Sequence, residues 1–221
     1  MTPAPGAQRS WLALVAVLSA GFAILAHASI IEGVPPAVGA LLSLVPVSIL
    51  ALWAVRRSRR RMGVLALVAA LAAVVAFYWS TLERHFPDLF FVEHAGANLA
   101  LAFVFGRTLF GGREPLVTGF ARIIHGALPP EVKAYTRQVT VAWTLFFLAL
   151  FTASCVLYLG HFLAAWSLLA NILSPILVGT MFVVEYIVRH RVLPDWERVG
   201  IMGGVRAFSR HFSSARFEAP R

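Results

Sequence analysis

Long apolar runs alternate with short polar intervals along this chain. A helix needs about 20 mainly apolar residues, within a range of roughly 17–25, to cross the hydrocarbon core of a bilayer. Six stretches qualify: residues 11–30, 36–55, 63–80, 89–105, 139–158 and 164–188. Each is expected to be an α-helix, because an open strand edge in lipid would leave backbone groups unpaired. The fourth stretch is short and carries Glu93, His94 and Asn98. The pattern therefore predicts an all-α membrane protein, a single six-helix bundle spanning residues 1–221.

The one long polar interval is the loop at residues 106–138. Within 114–125, Leu116, Val117, Phe120, Ile123 and Ile124 fall at i, i+1, i+4, i+7 and i+8, one stripe of an amphipathic helix. Pro115 suits its first turn and Glu114 its positive N-terminal end. Arg122 and His125, three apart, share the polar side. Such a helix lies in the headgroup plane or folds against the bundle. Pro129, Pro130 and Glu131 then open another helix that nothing interrupts before Tyr158. At about 1.5 Å per residue it reaches roughly 43 Å. It thus exceeds the hydrocarbon core, and Lys133, Tyr135 and Arg137 are expected to stand clear of the bilayer.

Composition agrees with this class. The chain has 221 residues, 59% hydrophobic and 13% charged, against about 45–50% apolar and 25% charged in soluble domains. The net charge of +9 sits in clusters beside apolar runs. It therefore points to topology and anionic lipid headgroups rather than to nucleic acid. Residues 56–62 hold five arginines, the 106–138 loop four arginines and Lys133, and the tail 189–221 seven arginines. The intervening loops are poor in both. With six spans every basic segment falls on one side, which places both termini in the cytoplasm. In the tail, residues 200–212 read as an interfacial cationic helix through Val205, Arg206, Phe208, Arg210 and Phe212. Cys155 is alone, so no intrachain disulfide is possible. No secretory peptide stands out, and the first helix is expected to be retained.

The polar groups inside the spans are the candidate chemistry. Ionisable residues are expensive in lipid and usually face the bundle interior or a cavity. Glu93, His94 and Asn98 form one such group, read either as a polar pocket or as residues near the outer interface. Asn171 beside Pro175 suggests a kink or an interhelical hydrogen bond. Glu185 precedes Arg189 by four and is expected to pair with it. His190 and Asp195 match the HxxxxD spacing of glycerolipid acyltransferases. Too few residues follow them for the rest of such a domain, and a snorkelling helix end explains them as well. No Walker loop, GxSxG or dinucleotide fingerprint occurs, so no cofactor is called for. His125 and His211 lack partners at metal-ligand spacing, so no metal site is argued.

The run from Gly112 to Phe147, with the segments beginning at Glu93 and Phe182, resembles a bacterial multi-pass inner-membrane family. Its members are found beside the synthase enzymes for aryl polyene and xanthomonadin-type pigment lipids. The most specific parts of the likeness are Arg113-Glu114-Pro115 and Pro129-Pro130-Glu131, with Tyr135-Thr136-Arg137, Val139-Thr140 and Trp143. The resemblance implies an accessory role in that pathway and supplies no reaction. Some members carry a ketosynthase label, which these residues do not support. That chemistry needs a nucleophilic cysteine with basic partners, and Cys155 lies in an apolar run that deactivates it. The expectation is a non-enzymatic protein that docks soluble synthase enzymes or acyl carrier protein. The docking candidates are Arg113, Glu114, Arg122, His125, Lys133, Tyr135 and Arg137. A flippase of a lipid-linked intermediate, using Glu93, His94 and Asn98, is the alternative. A membrane acyltransferase using His190 and Asp195 is a second.

Overall fold

A computed structural model describes residues 5–31 and 34–193, with side chains from residue 13 onward. It is helical throughout, with no strand among the described residues. The elements are α1 (Pro5–Ile31), α2 (Pro36–Ser43), α3 (Val45–Arg57), α4 (Arg61–Phe77) and α5 (Trp79–Gly106). A 3₁₀ turn at Arg107–Leu109 follows, then α6 (Leu116–His125), α7 (Pro130–Leu159) and α8 (Leu163–Ser167). A π-helical segment at Leu168–Leu173 leads into α9 (Ser174–Val192). Asp195 and residues 200–212 lie outside the described residues.

Five helical stretches are long and apolar enough to cross a membrane: Ala13–Ile31, Pro36–Arg57, Trp79–Leu109, Pro130–Leu159 and Leu163–Val192. They are compatible with a membrane-embedded protein. The helix at Arg61–Phe77, in the place of the third expected span, has 17 residues.

Three expected boundaries shift, each for a local reason. The expected span at 36–55 breaks at Leu44 (φ −84°, ψ −10°). Pro46 follows at the start of α3, where it lacks an N–H and its ring crowds the carbonyl four residues back. The expected outer loop at 81–88 is instead helical, as the first part of α5. Short-range pairs support that polar segment: Trp79 Nε1 donates to Glu83 at 2.8 Å and Arg84 Nε to the Ser80 carbonyl at 3.1 Å. His85 bonds Asp88 at 3.0 Å. The kink comes at His85 (φ −119°, ψ 17°), and Pro87 then sits in the first turn of the continuing helix. The expected span at 164–188 is interrupted by the π-helical segment just before Pro175. A proline there cannot donate to the carbonyl of Asn171, and a wider turn carries that carbonyl away from the ring. The start of α7 at Pro130 agrees with the sequence pattern.

The chain forms two compact units. Among the described residues, one comprises 5–31, 34–95 and 153–176, the other 96–152 and 177–193. In the first, Ala26, Ala40, Phe86, Phe90 and Trp166 make the core. A Cβ built on Gly39 would overlap the Phe86 ring, so α2 and α5 approach as closely as glycine permits. Gly39→Ala is expected to cost about 1–3 kcal/mol through overpacking, read as a lower midpoint in a denaturation titration. In the second unit, Ala102, Tyr135, Val139, Trp143 and Phe147 form the core. The Trp143 ring lies 4.8 Å from Phe182, 5.4 Å from Phe147 and 5.6 Å from Phe146, centroid to centroid.

Candidate functional site

The 106–138 segment, in the second unit, is held by one device used three times. Helix α6 begins at Pro115, which has no side-chain cap to offer, so the first N–H groups of the helix need acceptors from elsewhere. Thr108 donates its hydroxyl to the Phe105 carbonyl at 2.6 Å, and its oxygen accepts the Leu116 N–H at 3.0 Å. Thr140 donates to the Thr136 carbonyl at 2.8 Å and accepts the Val117 N–H at 3.3 Å. Thr136 donates to the Val132 carbonyl at 2.8 Å and takes part in a 2.7 Å bond with the Thr118 hydroxyl. Since the Thr136 proton is already committed, Thr118 is the donor in that pair. Each of these threonines spends its proton on the backbone just before it. Its oxygen is then free to receive α6.

This anchoring sets the rotation of α6. Thr118 is its buried residue, at 3% exposure, whereas Ile123 of the apolar stripe is 45% exposed. The helix therefore rests on α7 through a hydroxyl face and leaves part of its apolar stripe uncovered. Arg113, Arg122, Lys133 and Arg137 are exposed around it. Arg122 pairs with Glu114 at 2.6 Å, and Arg137 donates to the Leu109 carbonyl at 3.3 Å. His125, at the end of α6, is half-buried.

Tyr135 corrects the expectation of an exposed docking residue. It is 6% exposed, in the aromatic core. Its hydroxyl donates to Glu185, with the side-chain and backbone oxygens at 3.3 and 3.2 Å. Residues 132, 135, 136, 139 and 140 share one buried face of α7, which takes Tyr135 inward while Lys133 and Arg137 stay out. Glu185 also faces Arg189 at 3.7 Å. His190 Nδ1 lies 2.9 Å from the Tyr186 carbonyl. A carbonyl only accepts, so Nδ1 carries the proton.

In the first unit, His94 lies at the centre of a directed hydrogen-bond chain. Its Nδ1 is 3.0 Å from Ser154 Oγ and its Nε2 2.9 Å from Ser174 Oγ. Trp166 Nε1–H donates to Ser154 at 2.9 Å, and Ser174 donates to the Leu169 carbonyl at 2.8 Å. Those two ends fix every proton between them. Ser174 must accept from His94 Nε2–H, and Ser154 donates to a neutral Nδ1. The chain starts at an indole that only donates and ends at a carbonyl that only accepts. It ties α5, α7, α8 and α9 together within this unit. The sequence marked His94 but not Ser154, Trp166 or Ser174. A serine at an apolar helix face carries no signal until its partner is known.

Asn171 donates to Ser167 Oγ at 3.2 Å and to the Ser167 carbonyl at 3.1 Å, inside the π-helical segment. Ser167 also bonds His27 at 2.9 Å. Asn98, one turn beyond His94 on α5, is buried and belongs to the second unit. Comparisons of the chain with protein-family models, with curated proteins and with solved structures gave no match.

Proposed function

We propose that this chain is an accessory protein of a bacterial inner membrane that docks soluble enzymes of an aryl polyene-type lipid pathway, including an acidic acyl carrier protein. In this reading α4 is a sixth crossing. Its 17 residues measure about 25 Å at 1.5 Å per residue, short but within the crossing range. Both termini and the 106–138 segment then lie in the cytoplasm, as the arginine distribution requires. The observation that carries the proposal is the threonine anchoring of α6. It gives Arg113, Lys133 and Arg137 a fixed support, so that a partner meets a preorganised cationic face. Among the described residues, which do not include Asp195, the Nδ1 proton of His190 goes to the Tyr186 carbonyl.

Changing Arg113, Lys133 and Arg137 together to glutamate is expected to cut co-purification with carrier protein and synthase at least tenfold, while membrane insertion is retained. The wild-type complex should weaken steeply between low and physiological salt, because exposed charges are screened over about 8–10 Å. Undiminished co-purification by the triple variant would refute the docking role.

A further inference from the structure

The turn between α3 and α4 concentrates positive charge at the end of a membrane-length helix. Residues 56–61 read Arg-Arg-Ser-Arg-Arg-Arg, and the sequence has no acid between Glu32 and Glu83. Among the described residues, the acids that pair are Asp88, Glu114 and Glu185, with His85, Arg122 and Arg189. None of them serves Arg56, Arg59, Arg60 or Arg61. Hydrogen bonds give the turn a defined shape. The Ser58 N–H donates to the Ala54 carbonyl at 2.9 Å, and the Ser58 hydroxyl accepts the Arg60 N–H at 3.0 Å. Arg56 and Arg57 therefore close α3 while Arg59, Arg60 and Arg61 lead into α4, with one serine between the two groups. All five arginines are exposed. The Arg57 guanidinium lies over the Trp53 ring, 5.4 Å from its centroid. Trp53 and Met62, which flank the turn on α3 and α4, are themselves 58% and 79% exposed.

Five like charges this close repel one another, and the repulsion is relieved by anions that bridge them. A charge bias that sets orientation asks for no particular anion, but this clustering does. Every cation is arginine, whose planar fork matches two oxygens of a phosphate, and none is lysine. Pro36–Arg57 is long and apolar enough to cross a membrane, so its last residues stand at the depth of lipid headgroups. We propose that residues 56–61 bind an anionic phospholipid that carries two phosphodiesters on one headgroup. One phosphate meets Arg56 and Arg57, the other meets Arg59, Arg60 and Arg61, and the acyl chains lie along Trp53 and Met62. A soluble polyanion would match the charge but bring nothing to these apolar flanks. The site belongs to the first unit and is independent of the docking face, so either reading can fail without the other.

The test titrates the full chain in dodecylmaltoside with three lipids at equal phosphate: tetraoleoyl cardiolipin, dioleoylphosphatidylglycerol and dioleoylphosphatidylcholine. Native mass spectrometry counts the lipid retained. Cardiolipin should be held about tenfold better than phosphatidylglycerol, because its second phosphate binds as a tethered one. Arg59→Gln with Arg60→Gln should erase that preference. Arg206→Gln with Arg210→Gln removes the same charge from the tail and should leave it in place. Should the first double variant fail to insert, Arg59→Lys with Arg60→Lys keeps the charge, loses the forked geometry and should cut the preference several-fold. Equal retention of the three lipids, the result if an acidic protein is the true occupant, overturns the proposal. So does a preference that survives substitution of Arg59 and Arg60, or one that falls equally in the tail variant, since net charge alone would then hold the lipid.

Discussion

Trp166→Ala should destabilise the first unit by about 3 kcal/mol, near the lower end of the range for removing a buried tryptophan. Trp166 is fully buried. It packs edge-on to Tyr158 at 4.9 Å and to Phe91 at 6.3 Å, and its indole feeds the hydrogen-bond chain through Ser154. In lipid the apolar transfer contribution shrinks, because hydrocarbon replaces water as the alternative surroundings. Packing and the cavity left behind then dominate. Trp166→Phe retains part of the packing while it removes the hydrogen bond. It keeps an aromatic ring against Tyr158 and removes the N–H together with part of the indole volume, at an expected cost between that of one hydrogen bond, about 0.5–1.5 kcal/mol, and that of Trp166→Ala. Reversible unfolding in mixed detergent and lipid measures both variants. Equal losses for Phe and Ala would mean that a single ring at this position contributes nothing to the corner.

The difference between what the sequence disclosed and what it did not follows the same division. Apolar runs and proline positions are local, and they disclosed the helical class, the start of α7 at Pro130 and the amphipathic α6. Features that depend on partners distant in the chain did not show. Tyr135 reads as one more polar residue on a protruding helix until the buried face of α7 carries it to Glu185, 50 residues away. The helical start of α5 was hidden because its polar residues look like a loop, and only their mutual pairing makes a helix economical there. The π-helical turn was suggested only indirectly, by Asn171 beside Pro175. One signal was present and passed over: Thr136, Thr140 and Thr144 recur every fourth residue along α7. Hydroxyls in a row on one face of an apolar helix indicate a neighbour that needs acceptors. Two of them serve α6 in this way, while Thr144 bonds back to the Thr140 carbonyl at 2.8 Å.

That row is the basis of the second large effect. Thr136→Val combined with Thr140→Val keeps the shape of both side chains but removes the acceptors for the Thr118 hydroxyl and the Val117 N–H. Thr118 is buried, where water does not readily replace the loss, and Val117 is half-buried. Leaving a buried donor unpaired costs about 1–3 kcal/mol. Hydrogen exchange over residues 116–125 should accordingly accelerate by about ten- to a hundredfold, since each 1.4 kcal/mol is a factor of ten. α7 itself should remain protected, because valine suits a membrane helix and the helix keeps its own backbone bonds. The two substitutions change no charge, so a docking role that depended on charge alone would survive them. If the preorganised face is what the partner recognises, the doubly substituted chain should lose carrier-protein binding several-fold with every arginine and lysine still in place. Faster exchange in α6 with undiminished binding would instead assign recognition to the charges on a mobile segment. Unchanged exchange would show that the threonine oxygens do not hold α6 at all.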